Sequence, residues 1–193
     1  MTRLAPDSLA FALLQAARIQ LAVFGGQSLA DGLLSRVEPL ARPAVQDLVY
    51  GSLRRYGRGD FFLGRLLARP LADQEVHSLL LVALYRLETR PDATHTVVDQ
   101  AVVAAGEIAM GNFRGLVNGV LRNFLRQQTA LLEALDRDEC ARSQHPDWWL
   151  AQLKAAYADV WRPIVDAGNL PPPMALRVNA RRCARDDYRA RLK

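Results

Sequence analysis

Residues 108–132 contain no acid, between Glu107 and Glu133, and carry Arg114, Asn118, Arg122 and Arg126 at a strict spacing of four. Four residues advance an α-helix by about 400°, so these side chains fall in one slowly drifting polar stripe. Guanidinium groups bind phosphate through charge-assisted hydrogen bonds, and a carboxamide adds directional ones. The stripe therefore has the chemistry of a helix that contacts a nucleic-acid backbone. It equally matches the solvated face of a core helix, with Leu121, Phe124 and Leu125 behind it. A second acid-free run, residues 48–59 between Asp47 and Asp60, interleaves Arg54, Arg55 and Arg58 with Tyr50 and Tyr56. Arginine for phosphate and tyrosine for a base face is a single-strand RNA-binding combination. The two tyrosines read more simply as core residues with a satisfied hydroxyl. Arg177, at the start of a basic C-terminal run, is a further candidate RNA contact.

Other chemistries find no residues to carry them. His77, His95 and His145 stand 18 and 50 positions apart, without a His-Glu-x-x-His pair or neighbouring cysteines, so no metal site is expected. Gly57-Arg58-Gly59 lacks the third glycine and the flanking strand of a dinucleotide loop. Neither a phosphate-binding Gly-x-x-x-x-Gly-Lys-Ser/Thr nor a Gly-x-Ser-x-Gly occurs. Cys140 and Cys183 form neither a disulfide framework nor a zinc pattern and fit a reducing cytoplasm. No catalytic residue and no cofactor site is expected within this chain.

The elements that position the arginines are helical. Val76, Leu79, Leu80, Ala83, Leu84 and Leu87 recur with the period of one helix face, and so do the apolar residues of 97–108 and 116–125. The pattern predicts helices over 7–23, 28–37, 43–57, 60–68, 73–89, 95–109, 113–127, 129–138, 146–156 and 158–168. Asp7 or Ser8, Ser28, Asp73 and Thr94 are the expected N-caps. Trp148 and Trp149 are expected to anchor a helix that starts at Pro146. Pro171-Pro172-Pro173 favours an extended connector. Beyond it, residues 174–179 alternate as a short strand and residues 185–192 read as a helix with Asp186 or Asp187 in its first turn. One strand and one helix make no core, so a fragment of a longer protein is expected.

The chain has 193 residues, of which 50% are hydrophobic and 23% charged, which excludes a wholly disordered chain. No run of about 18 apolar residues is free of charge, and the start Met1-Thr2-Arg3 leads to an acid before any apolar stretch. A membrane span and a secretory leader are therefore not expected. The net charge of +5 sits entirely in residues 177–193, and the residues before them are neutral. The basic balance is thus a property of the tail and does not by itself make the helical body a nucleic-acid binder. Arginine outnumbers lysine 23 to 2, which suits phosphate recognition but also follows from compositional bias.

Leu116-Val117-Asn118-Gly119-Val120-Leu121-Arg122 resembles the signature of NusB-like RNA-binding domains. Leu48-Val49-Tyr50-Gly51-Ser52-Leu53-Arg54 and the Leu67-Ala68-Arg69-Pro70-Leu71 turn resemble the same family. His145-Pro146-Asp147-Trp148 and Pro172-Pro173-Met174-Ala175-Leu176-Arg177-Val178-Asn179 are similar to the joining segment of RsmB/Sun-type 16S rRNA (cytosine-5) methyltransferases. The blocks keep their order over roughly residues 8–190. The resemblance implies an all-α, NusB-like helical bundle over 1–140 and linker helices over 141–172. Residues 173–193 would then begin, with a strand and a helix, a small RNA-recognition-like α/β subdomain. In that family a Rossmann-like domain follows, which uses S-adenosylmethionine. There a cysteine thiolate attacks C6 of cytosine before methylation at C5, and a second cysteine assists release. The family's glycine-rich cofactor loop, its Asp-Ala-Pro-Cys and its Thr-Cys are absent here, and Cys140 and Cys183 stand in neither context. The implied role is recruitment of small-subunit rRNA by Arg54, Arg55, Arg58, Arg114, Asn118, Arg122, Arg126 and Arg177, with the missing methyltransferase domain as a second partner. If so, Arg54, Arg55 and Arg58 should share one surface with Arg114 and Arg122. A protein-interaction module of the antitermination type and a structural domain that packs on its own catalytic domain are the rival roles.

Overall fold

The computed structural model describes residues 4–192, so Met1–Arg3 and Lys193 lie outside the described residues. The elements are α1 (Leu9–Phe24), α2 (Arg42–Arg54), α3 (Tyr56–Leu66), α4 (Gln74–Thr89), α5 (Thr94–Ala105), α6 (Arg114–Arg137), α7 (Glu139–Ser143), α8 (Asp147–Ala156), α9 (Trp161–Asn169) and α10 (Arg185–Arg191). Short 3₁₀ turns join several of them. α4 is the centre: Val76, Leu79, Leu80, Ala83, Leu84 and Leu87 are all buried, with Leu81 and Val82 as well. A helix buried on nearly every face must be surrounded, and α4 packs against α1, α5, α2, α3 and α6. α6 closes the other side, against α5, α3, α4 and α7.

Side-chain caps set the starts of α1, α4 and α7. Ser8 Oγ accepts from the Phe11 N–H at 3.1 Å, and Asp73 Oδ1 accepts from the Glu75 and Val76 N–H groups at 3.0 Å. Ser28 caps as expected, but only a 3₁₀ turn, Leu29–Asp31. The expected helix over 28–37 breaks into two such turns, because Gly32 adopts φ +77° between them. Thr94 is the first residue of α5 and Ala93 its N-cap, without a side-chain bond. Pro146 occupies the N-cap of α8, one position before the helix. The expected break near residue 128 does not occur. Gln127 and Gln128 are good helix formers, and Leu131 and Leu135 prolong the buried face set by Phe124, so α6 runs for 24 residues. Gly57-Arg58-Gly59 lies inside α3 and does not interrupt it. A Cβ at Gly59 would sit 2.9 Å from Leu81 Cδ2, so glycine serves helix contact here.

After Ala141 the core thins to Leu150 of α8 and Val165 of α9. α9 touches α7, and α10 buries no residue. The expected strand over 174–179 is not formed, and no strand occurs among the described residues. A strand needs a neighbour to pair with, and none is present for this exposed segment. The helix after it does form, with Asp186 and Asp187 in its first turn. No helix among the described residues is long and apolar enough to cross a membrane.

Candidate nucleic-acid interface

Arg114 opens α6, and its stem lies across the turn that precedes the helix. Its Cδ is 3.5 Å from where a Cβ would stand on Gly111 and 3.8 Å from one on Gly106. That turn is tight: Gly111 has φ +80°, and Ala109 and Met110 adopt positive φ although neither is glycine. Met110 at its tip is 95% exposed. One turn into α6, Asn118 Oδ1 accepts from Arg122 Nε at 2.9 Å, which fixes the guanidinium over the helix surface. Arg114, Asn118 and Arg122 line one groove of about 360 Å³, whose other wall is His95, Val98, Asp99 and Val102 of α5. Asp99 is the one acid in that wall, and it accepts from Gln100 Nε2 at 3.0 Å. Arg126 is exposed one turn further and donates to Asn123 Oδ1 at 3.3 Å, outside the groove. None of the ion pairs among the described residues includes Arg114, Arg122 or Arg126.

The second arginine cluster divides. Arg58 Nε donates to Glu88 Oε1 at 2.6 Å, where the Glu88 side chain is only 8% exposed, and its guanidinium lies 5.4 Å from the Phe62 ring centroid. This cation is neutralised inside the α3–α4 junction. Arg55 is exposed, with its guanidinium 5.9 Å from the Tyr85 ring centroid. Arg54 lines two grooves. One, of about 530 Å³, is shared with Tyr50, Tyr85 and Pro171. The other, of about 610 Å³, is shared with Tyr56, Asp60, Gln144 and His145. Neither groove shares a lining residue with the α5–α6 groove, so Arg54 stands in grooves distinct from the one that holds Arg114 and Arg122. Tyr50 and Tyr56 are not core residues: they are 41% and 40% exposed, and Tyr56 meets Phe24 edge-on at 5.0 Å. Arg177 is exposed in the extended segment.

The linker helices hold together by polar and aromatic contacts. His145 stacks on Trp149 at 4.2 Å, and its Nδ1 lies 2.7 Å from the Ser143 carbonyl oxygen. Trp148 is 63% exposed, so only one tryptophan of the expected anchoring pair is packed. Lys154 pairs with Glu139 and lies over the Trp161 ring. The Cys140 thiol donates to Asp147 Oδ1 at 2.6 Å. That bond, then burial and the nearby carboxylates, push the thiol up to about 11, so it stays protonated and unreactive near neutrality. Among the described residues no three His, Cys, Asp or Glu side chains gather as a metal site.

The NusB family profile matches residues 9–126, which span α1 to the middle of α6 and contain both arginine patches apart from Arg177. The chain belongs to the NusB family. Residues 145–193 match the ferredoxin-like domain described as Methyltr_RsmF/B-like. A protein of Escherichia coli O6:H1 named Ribosomal RNA small subunit methyltransferase B is 37% identical over 179 residues, 90% of this chain and 42% of that protein. The protein of the same name from Klebsiella pneumoniae (strain 342) is 37% identical over 185 residues, 93% of this chain and 43% of its own length. The chain thus spans less than half the length of the curated relatives it matches.

Within the NusB-family bundle, sequence reasoning missed Tyr85 and Gly51 as a pair. A Cβ at Gly51 would fall 2.0 Å from Tyr85 Cζ, so the ring occupies the space that the glycine leaves. Burial, then Asp47, hold the Tyr85 phenol above its ordinary pKa, so it remains a neutral hydroxyl. The available signal was Tyr85-Arg86, a polar interruption on an otherwise buried α4. His95 and Asp99 were also missed as groove wall, since they face α6 only in the packed bundle.

Proposed function

We propose that this chain is the RNA-binding, substrate-recruiting part of an S-adenosylmethionine-dependent 16S rRNA (cytosine-5) methyltransferase and performs no chemistry itself. The observation that carries this reading is the α5–α6 groove. Arg114, Asn118 and Arg122 line one groove, and among the described residues neither guanidinium forms an ion pair, with Asp99 of the facing wall the one acid in the lining. Arginines without an ion-pair partner among the described residues, one of them oriented by a carboxamide, suit the RNA backbone. Arg54, Arg55, Arg126 and Arg177 add exposed or groove-lining positive charge, while Arg58 braces α3 on α4. Such a domain raises rate by holding the target near the reacting groups.

The names of the relatives support small-subunit rRNA as the substrate and methyl transfer as the parent activity. S-adenosylmethionine would supply the methyl group in that parent. In this reading the cofactor site and both catalytic cysteines belong to the rest of the protein. We place the bundle over 1–140, the linker helices over 141–172 and the start of a further subdomain over 173–193, in a protein of the cytoplasm. A second contact, with the missing methyltransferase domain, is favoured by the exposed Trp148, Leu170 and Met174 on the linker side.

The test is a salt series of fluorescence anisotropy with the 193-residue chain and a small-subunit rRNA hairpin. Binding should weaken linearly in log salt, and Arg122→Ala should reduce the slope by about 1. Salt-independent binding, or a slope untouched by Arg122→Ala, refutes the assignment of this groove.

A further inference from the structure

The outward face of α2 carries Pro43, Gln46, Asp47, Tyr50 and Arg54, spaced so that all five stand on one side of the helix. Together with Tyr85 of α4 they line a groove of about 530 Å³, with Pro171 on its rim. Gly51 lies in the floor of this groove. Any side chain there would collide with the Tyr85 ring, so the glycine lets the ring settle against α2. Tyr50 keeps 41% of its surface exposed although it is a large, mostly apolar residue on a well-packed bundle. The acid in the groove, Asp47, lies 3.7 Å from Arg86. Arg54 and Arg55 have no carboxylate partner among the described residues, and Arg55 stands over Tyr85.

Two tyrosines, the Gln46 carboxamide and the Arg54 guanidinium line the groove with Asp47, and Arg55 stands beside it over the Tyr85 ring. Aromatic rings accept the face of a nucleobase, arginine holds the adjoining phosphate, and the Gln46 amide can bond a base edge. In a duplex the base faces are already stacked on one another and cannot reach a ring in a side groove. We propose that the Tyr50–Tyr85 groove binds an unpaired nucleotide of RNA, with the base stacked on a tyrosine and the phosphate on Arg54. This rests on the RNA-binding reading above and adds a substrate class to it. The α5–α6 groove holds backbone, and the α2–α4 groove selects single-stranded bases. Pro171, the first residue of the proline run, lies on the rim, so the selected nucleotide is held where the bundle passes into the linker's end.

The experiment uses the 193-residue chain and two labelled probes: oligouridine, whose bases stack weakly on one another, and a strand of equal length built of abasic ribose. The base-bearing strand should bind about 5- to 100-fold more tightly, the range that base–aromatic stacking supplies. Tyr50→Ala should abolish that difference and Tyr50→Phe should retain it. Arg122→Ala should weaken both strands alike. Since Tyr50 is exposed, unchanged far-ultraviolet circular dichroism is expected for each variant. Equal binding of the two strands by the unaltered chain overturns the proposal while leaving RNA binding intact. A difference that survives Tyr50→Ala overturns it as well, as does an oligoproline peptide that binds the groove when oligouridine does not compete. If neither strand binds at any salt concentration, the RNA-binding reading itself falls.

Discussion

At Gly51, an alanine methyl group would lie 2.0 Å from Tyr85 Cζ, far inside contact distance, so one ring must leave its seat to admit it. Alanine is the better helix former, but the gain of up to about 1 kcal/mol is smaller than the usual cost of overpacking, about 1–3 kcal/mol. Gly51→Ala should therefore lower stability in urea unfolding, and the loss should vanish in a Tyr85→Ala background, where only the helix gain remains. Cys140 gives a prediction in pH. Its folded pKa of about 11 stands above the 9.0 of an unperturbed thiol, because Asp147 accepts its proton in a hydrogen bond. A group whose folded pKa is raised contributes stability that is complete below the unfolded value and is lost as pH rises through the folded one. Between pH 9 and 11 the folded thiol keeps its proton and the unfolded one loses it. Alkylation of Cys140 by iodoacetamide at pH 9 should thus be markedly slower in native protein than in urea, read by mass spectrometry of the peptide.

Two arginines three positions apart end on different elements' business: Arg58 is tied to Glu88 of α4, while Arg55 stays at the surface over Tyr85. The element decides which. α3 begins at Tyr56, so residues before and after that point face different neighbours. α6 carries the larger charge pattern, and it does so despite Gly119 in its interior. A Cβ at Gly119 would meet nothing within 4 Å, so no packing among the described residues requires glycine there. Gly119→Ala should raise stability by about 0.5–1 kcal/mol, measured as a higher midpoint in urea. Gly119 is not among the residues that line the Arg114–Arg122 groove, so the same variant should gain stability and keep its RNA affinity. A loss of affinity in that variant would place the ligand elsewhere on the helix.

For the whole molecule, charge is divided between a neutral body with two local arginine patches and a tail of +5. Long-range attraction of a polyanion follows the net charge, whereas discrimination follows the patches. Arg181→Gln, Arg182→Gln, Arg189→Gln and Arg191→Gln combined should weaken every RNA probe to a similar degree and flatten the salt dependence. The preference for base-bearing over abasic strands should persist, since none of these residues lines the Tyr50–Tyr85 groove. Loss of that preference with the tail charges would assign base selection to the tail.

Much of this was legible in one dimension because helix period, capping and stripe formation are local. The 3.6-residue repeat set the buried face of α4, and Ser8 and Asp73 marked helix starts with their own side chains. Arg114, Asn118 and Arg122 shared a face as soon as α6 was a helix. What the tertiary structure alone decided involves partners distant along the chain. Glu88 lies 30 positions from Arg58, and Tyr85 is 34 from Gly51. Whether an arginine is free, neutralised or laid over a ring depends on which helix α4 meets at that height, and that is fixed by packing of the core. The same reason puts Arg54 and Arg114 in different grooves: periodicity places side chains around one helix axis but carries no information on the angle between axes. The extended segment at 174–179 shows the converse limit. Its alternation is a strand's, yet a strand exists only where a second one pairs with it, and within the described residues none does.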